Sequence, residues 1–458
     1  MRVPCRLVLA PLAAMLFAAA LPAQDTSELL NRMKAMEDRI HALEAEVQTL
    51  KGQPPAQVAA QPPPPAVAAP QVGAAPVVQP VPVNPAQLGG AGGAAAKVLN
   101  PDISVIGNFI GSAGFDGGRS TPSLEMHESE VGFQEVIDPY ARGDFFFSFG
   151  EKGVELEEGY ITFTSLPAGL LFKVGKMRAA FGKVNTLHNH MLPWIDRPLV
   201  TQDLVGGEDG IDDAGLSLSR ILPSPKGLFL EGTAQVYRGD SDNIFLATRR
   251  SDVSAVGHLR GYSDLSENTN IDFGFSYARG HSPFADGHNQ LFGVDAMLRW
   301  KPLRRAIYHS FVARSEFIWA RTSISQFVNG TPIPDVINAP PIAVVKPFGF
   351  YISGDYQLGR RWTLGGRFDR SERGPCLPTN PPTFPTCTLL DPITPGGNFS
   401  RNALVQDTGG SVLLTYMPSE FSLIRTQLRR NHYGEGRTAN EFVFQFQFAM
   451  GAHGAHPF

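Results

Sequence analysis

The chain of 458 residues has only 3 Cys, 4 Trp and 18% charged residues. Three cysteines cannot staple a chain of this size, which excludes a disulfide scaffold. Long apolar runs are also missing. A bundle of membrane helices needs ~20 consecutive apolar residues per span, and the one run approaching that length is residues 7–20. Basic charge is scarce as well, with a formal net charge of −4, so nothing indicates a nucleic-acid partner. Disorder throughout is excluded by a hydrophobic share of 43%. What the chain has instead is 47 Gly, 38 Pro and 31 Phe, at a mean hydropathy of −0.09. Glycine and phenylalanine without long apolar runs point to many alternating strands.

Arg2 and Arg6 precede the apolar stretch, and Leu-Pro-Ala-Gln follows at 21–24. This order is that of a secretory signal peptide over residues 1–23, cleaved after Ala23, with an uncleaved anchor as the alternative. Losing Arg2 and Arg6 would take the formal −4 to −6. Cys376 and Cys387 then remain, in a Pro-rich segment of an exported chain. A disulfide between them is expected in preference to a metal site, because no histidine lies near them in sequence.

From Leu29 the apolar residues fall at 29, 33, 36, 40, 43, 47 and 50, a heptad seam. Arg32, Arg39 and Glu46 at g would face Glu37, Glu44 and Lys51 at e of a parallel neighbour, opposite in sign at each pair. Residues 24–51 therefore read as an oligomerisation coiled coil ~40 Å long, of two or three strands, rather than a lone surface helix. Residues 52–98 are Pro, Ala, Val, Gln and Gly with almost no charge, a low-complexity linker.

Beyond Pro101 the pattern has period two. Phe442, Phe444, Phe446, Phe448 and Met450 alternate with Val443, Gln445, Gln447 and Ala449, and Ile424 and Leu428 alternate with Arg425, Gln427 and Arg429. The expected strand centres are Val105, Gly132, Phe145, Tyr160, Val174, Leu216, Ala234, Gly257, Phe273, Val294, Arg314, Ile352, Leu364, Val412, Thr426 and Phe446. Sixteen is an even number, as closure of a bacterial barrel with both ends on one side requires. Connections after even strands are mostly tight, as at Asp138-Pro139 and Gly359-Arg360; those after odd strands are often long, as at 183–209, 323–346 and 374–402. A soluble sandwich has no reason to sort its loops in this way. The fold class is thus all-β: an antiparallel transmembrane barrel over residues 99–453, with a tail at 454–458.

From Leu170 the chain runs Leu-Leu-Phe-Lys-Val-Gly-Lys-Met-Arg-Ala-Ala-Phe-Gly-Lys-Val-Asn, with Arg197-Pro198-Leu199 further on and Gly210-Ile211-Asp212-Asp213-Ala214-Gly215-Leu216 beyond. This resembles the phosphate-selective porin O and P family, in which such a strand leads through Phe-Gly into a long loop carrying an Arg. The resemblance implies a sixteen-stranded trimeric diffusion porin. The family's phosphate-binding residues do not map one by one onto this chain, and the coiled coil with its linker departs from the family pattern.

If the apolar parity faces lipid, Arg142, Lys173, Arg299, Arg314, Arg361, Arg367, Arg425 and Arg429 line the pore among acids of mixed placement. The loop after the fifth strand is expected to narrow the channel with His188, His190, Asp196, Arg197, Asp203, Glu208 and Asp209. Its acids, facing arginines across water, would set up a transverse field. His188-x-His190 and His453-x-x-His456 have no carboxylate or cysteine set near them in sequence, so neither metal nor cofactor is expected. Glu155, Glu157 and Glu158 lie on a strand rather than in an evident cleft, and no nucleotide or nucleophile motif occurs, so an enzyme is not expected. The expected function is passive diffusion of small hydrophilic solutes or ions, phosphate among them, across the outer membrane of a Gram-negative-type bacterium, with the N-terminal region in the periplasm. The alternative is an envelope structural protein in which the barrel anchors a coiled-coil tether reaching the cell wall.

Overall fold

The alternation that dominates the second part of the chain becomes sixteen long strands. The computed structural model describes residues 101–115, 122–150, 153–241, 244–283, 285–324, 327–328, 331–332, 343–373, 404–434 and 436–451. The signal peptide, coiled coil, linker, Cys376–Cys387 pair, His453, His456 and tail lie outside the described residues.

The strands are β1 (Asp102–Phe115), β2 (Leu124–Asp138), β3 (Ala141–Gly150), β4 (Gly153–Phe163), β5 (Leu170–Arg178), β6 (Asp212–Leu222), β7 (Leu228–Tyr237) and β8 (Ser254–Ser266). They continue with β9 (Thr269–His281), β10 (His288–Trp300), β11 (Phe311–Ile324), β12 (Phe348–Gln357), β13 (Trp362–Arg373), β14 (Val405–Ser419), β15 (Ser422–His432) and β16 (Thr438–Gly451). Each pairs antiparallel with its sequence neighbour, and β1 pairs with β16, so the sheet closes into a barrel. At that seam Phe109 stands opposite Phe446 and Val105 opposite Met450. Closure leaves no edge strand with unpaired backbone groups, which is the condition for crossing hydrocarbon with strands. All sixteen expected centres fall inside these strands. Short pieces at Phe327–Val328, Thr331–Pro332 and Ala343–Val345 belong to the long connection between β11 and β12.

Large apolar side chains stand on the outside. Phe275, Ile352, Phe368, Val412, Leu428 and Phe442 are all exposed, while their alternates on the same strands are buried. Apolar surface on this scale excludes water as the surrounding solvent of the wall. Near the short-turn end Tyr140, Tyr308, Tyr356, Trp362 and Phe421 are exposed, and Trp362 packs on Tyr416 at 4.5 Å; toward the other end Trp319 stacks on Phe348 at 5.1 Å. Tyr and Trp at both ends of an apolar wall match the two interfaces of a bilayer. No helix among the described residues is long and apolar enough to cross a membrane.

Two bulges matter below. His127 is the extra residue in β2, where pairing with β1 shifts from Glu128–Asn108 to Met126–Phe109. Glu157 is the extra residue in β4, where pairing with β3 shifts from Glu158–Phe146 to Leu156–Phe147.

Candidate functional site

The connection between β5 and β6 folds inward. Met177, Ala179, Phe181, Val184, Leu192, Trp194, Val200, Leu204, Val205 and Ile211 are buried and pack with inward-facing Tyr237, Ala278, Leu291, Ile318, Tyr351 and Leu413 of the wall. An apolar loop can rest in a polar lumen only if its backbone polar groups find partners. Here the wall supplies them. Ala180 N–H donates to Gln235 Oε1 at 2.7 Å, Gly182 N–H to Ser276 Oγ at 2.9 Å, and the N–H groups of Lys183 and Val184 both to Glu316 Oε1 at 2.7 Å. Ile195 N–H donates to Gln427 Oε1 at 3.0 Å, and Arg425 Nη1 donates to Leu192 O at 3.0 Å. The neck of the loop is drawn together by Asn185, which bonds Ala179 O and both backbone groups of Ile211. A short helix, α1 (Leu199–Leu204), returns the chain toward the wall, its first N–H reaching Asp369 Oδ1 at 3.3 Å.

Two charged contacts hold opposite flanks of the loop. On one flank, Asp196 accepts from Arg367 Nη2 at 3.0 Å, Arg429 Nη1 at 2.9 Å and Gln427 Nε2 at 2.6 Å. Arg367 also lies over the Trp194 ring, 4.9 Å from its centroid. Burial by itself would raise the pKa of Asp196, but the Arg367 and Arg429 guanidinium charges outweigh it and hold the carboxyl well below the usual carboxylate range. On the other flank, His188 is buried with Nδ1 2.7 Å from Glu130 Oε2 and 2.9 Å from Glu157 Oε2, and Nε2 2.8 Å from Glu158 Oε2. His190 lies beside it, Nδ1 3.6 Å from Glu130.

The remaining expected residues of the loop divide. Arg197 does not face water: it is buried and braces the loop from within, bonding Asn189 Oδ1, Val184 O and Leu187 O. Asp203 lies on α1 and is only partly exposed. Glu208 is exposed, with His127 3.7 Å away, while the backbone carbonyls of Glu208 and Asp209 both accept from Arg178. Acids set opposite arginines across open water are therefore not what Asp196 provides. It touches them, because the loop reaches the wall.

On the wall, Arg142 bonds Asp144 at 2.9 Å, Arg314 bonds Asp355, Arg367 bonds Asp369 at 2.7 Å and Arg429 bonds Glu441 at 2.5 Å. Lys173 sits over the Tyr160 ring, Arg299 contacts Met297 Sδ, and Arg425 bonds Thr415 and Gln445, none of the three touching a carboxylate among the described residues. Arg361 is in the turn between β12 and β13, not on a strand, so its side chain is not part of the barrel's alternating inner face. The expected pore residues leave out Glu128, Arg178, Asp369 and Glu441, which hold the loop or its anchors, and the sequence places Gln427 only in the inner alternation. Sequence parity also had no way to bring Glu157 to the same imidazole as Glu158, since adjacent strand residues face apart unless a bulge intervenes.

No family model matches the chain. An uncharacterised protein of Aquifex aeolicus is 25% identical over 388 residues, 78% of this chain and 75% of its own length. Among solved structures, a loop L8 deletion mutant of OmpT, an outer membrane protein of Vibrio cholerae, aligns with a TM-score of 0.50 at 8% identity, over 77% of this chain and 99% of that one. An anion-selective porin from Comamonas acidovorans gives 0.48 at 8% identity, over 77% and 100%. The chain has the fold of an outer-membrane β-barrel, closed by sixteen antiparallel strands and carrying an inward-folded loop.

Proposed function

We propose that the protein is an outer-membrane porin, a water-filled channel for passive diffusion of small hydrophilic solutes, narrowed by residues 179–211. The observation that carries this reading is the loop itself, bonded into the lumen by side chains of β2, β4, β7, β9, β11, β13 and β15 inside a wall clad in apolar residues. Such a loop narrows a passage without a moving part, and no catalytic role is ascribed to it. An even strand number brings both ends of the barrel segment to one side of the membrane; on this reading that side is the periplasm, with the N-terminal coiled coil there and the barrels assembled as a trimer.

Selectivity is expected to be modest. Most inward guanidinium groups are matched by a carboxylate on the same or a neighbouring strand, and a neutralised wall gives little preference of sign. Among the described residues Lys173 and Arg299 face the lumen without a carboxylate partner, and they give small anions, phosphate included, their foothold. Planar-bilayer recording tests both parts. Purified full-length protein should give stepwise conductance, and its absence refutes the channel. Replacing Lys173 and Arg299 with Glu should move the reversal potential in a KCl gradient toward the cation limit; an unmoved potential refutes the selectivity.

A further inference from the structure

The buried cluster where the loop meets β2 and β4 holds more negative charge than its neighbours discharge. Glu128, Glu130, Glu157 and Glu158 converge there, and the guanidinium beside them is Arg178, 3.4 Å from Glu157. Glu128 is 6% exposed, yet neither of its carboxylate oxygens accepts a hydrogen bond, and the same holds for Glu130 Oε1. Glu130 has His188 at its other oxygen and Glu128 meets Glu157, another acid, so the cluster's charge is only partly met, and buried carboxylates so placed are costly. The geometry is also that of a ligand set. One atom from each of Glu128, Glu130 and Glu157 lies within 4.8 Å of the others, as does one from each of Glu130, His188 and His190. That span is about twice a metal–ligand distance, and Glu130 belongs to both groups.

We propose that this cluster is a divalent-cation site of the zinc type, with Glu128, Glu130 and Glu157 as oxygen ligands and the His188 imidazole as nitrogen ligand. His188 is oriented for it. Its Nε2–H directed at Glu158 leaves Nδ1 facing Glu130 and Glu157, the carboxylate–imidazole–metal arrangement in which the outer carboxylate fixes the tautomer. One proton on Nδ1 cannot serve both facing carboxylates fully; Zn²⁺ would displace that proton to solvent and take its place, the 2.7 and 2.9 Å contacts opening to admit the ion. The imidazole favours Zn²⁺ over Ca²⁺ or Mg²⁺, which take oxygen alone. Two of the carboxylates come from β2 and β4 bulges or their immediate neighbours, and the histidine from the loop, so the cation pins the loop to the wall.

A proton shared between Glu128 and Glu157 is the rival way to discharge the cluster, and metal titration separates the two. Full-length protein in detergent, stripped with EDTA and titrated calorimetrically with ZnCl₂, should bind one Zn²⁺ per chain. Glu128→Gln and Glu130→Gln should each weaken binding at least tenfold, while the His453→Gln/His456→Gln double variant should bind as the parent does. Absence of binding, or binding that survives both glutamate variants, overturns the proposal. Should those variants not fold, zinc X-ray absorption on the parent protein decides. An inner shell of oxygen with imidazole nitrogen supports the site, and a shell without imidazole overturns it.

Discussion

Asp196 is the residue on which the loop's far flank turns. It accepts three side-chain hydrogen bonds, two from guanidinium groups, and its main-chain oxygen takes a fourth from Arg367. Asp196→Ala would remove three side-chain hydrogen bonds to the loop, two of them from guanidinium groups that keep Asp369 and Glu441 as partners, a loss of about 3 kcal/mol. The expected outcome is a lower urea midpoint together with larger and noisier single-channel conductance; unchanged conductance would show that the loop is held elsewhere. The pH dependence follows from the depressed pKa. A carboxyl depressed in the folded state contributes stability above the ordinary Asp value of about 3.9 and loses it only as pH falls through the lower folded value. Asp196 should therefore add no conductance step from pH 7 to about 4. A step within that window that disappears in Asp196→Asn would contradict the latch, whereas one that persists there belongs to the Glu/His cluster on the other flank.

At the scale of elements, the strands and the inward loop after the fifth were legible, and the loop's partners on the wall were not. A period-two pattern is local, so the sixteen centres, the loop sorting and the lipid parity of Phe442, Ile352 and Leu428 could be read residue by residue. The loop's position is non-local. Gln427 and Arg429 lie more than two hundred residues from Asp196, and nothing in the alternation joins them. A signal was present, however: Phe181, Val184, Leu192, Trp194, Val200, Leu204 and Ile211 make residues 179–211 too apolar for a solvated connection. Bulges at His127 and Glu157 were invisible for another reason. One extra residue leaves composition untouched while changing which acids share a face. The loop's first turn gives a test. Gly182 has φ +60°, and a Cβ there would lie 2.8 Å from Glu316 Oε2, the carboxylate whose other oxygen bonds the next two amides. Gly182→Ala should cost roughly 1–2 kcal/mol while the barrel still migrates as folded in unheated gels; a neutral effect would mean the turn relaxes freely.

For the whole molecule, the decisive property is which solvent each face meets. Val412 is 57% exposed on the outer face of β14, opposite Leu428. If that face meets hydrocarbon, Val412→Arg should destabilise the protein by about 2–4 kcal/mol in equilibrium refolding into lipid vesicles. A change within ±0.5 kcal/mol, normal for a water-facing position, would return the wall to water.

The loop's partners also impose an order on biogenesis. Residues 179–211 are synthesised before β7 to β15 exist, yet Gln235, Ser276, Glu316, Asp369 and Gln427 on those strands receive its amides. Until the last of them is delivered and β16 meets β1, Trp194 and Phe181 have no apolar surroundings and Asp196 no counter-ions. The eyelet is thus the last part to set. An assembly machine that releases the barrel before this closure would release it with an unseated loop.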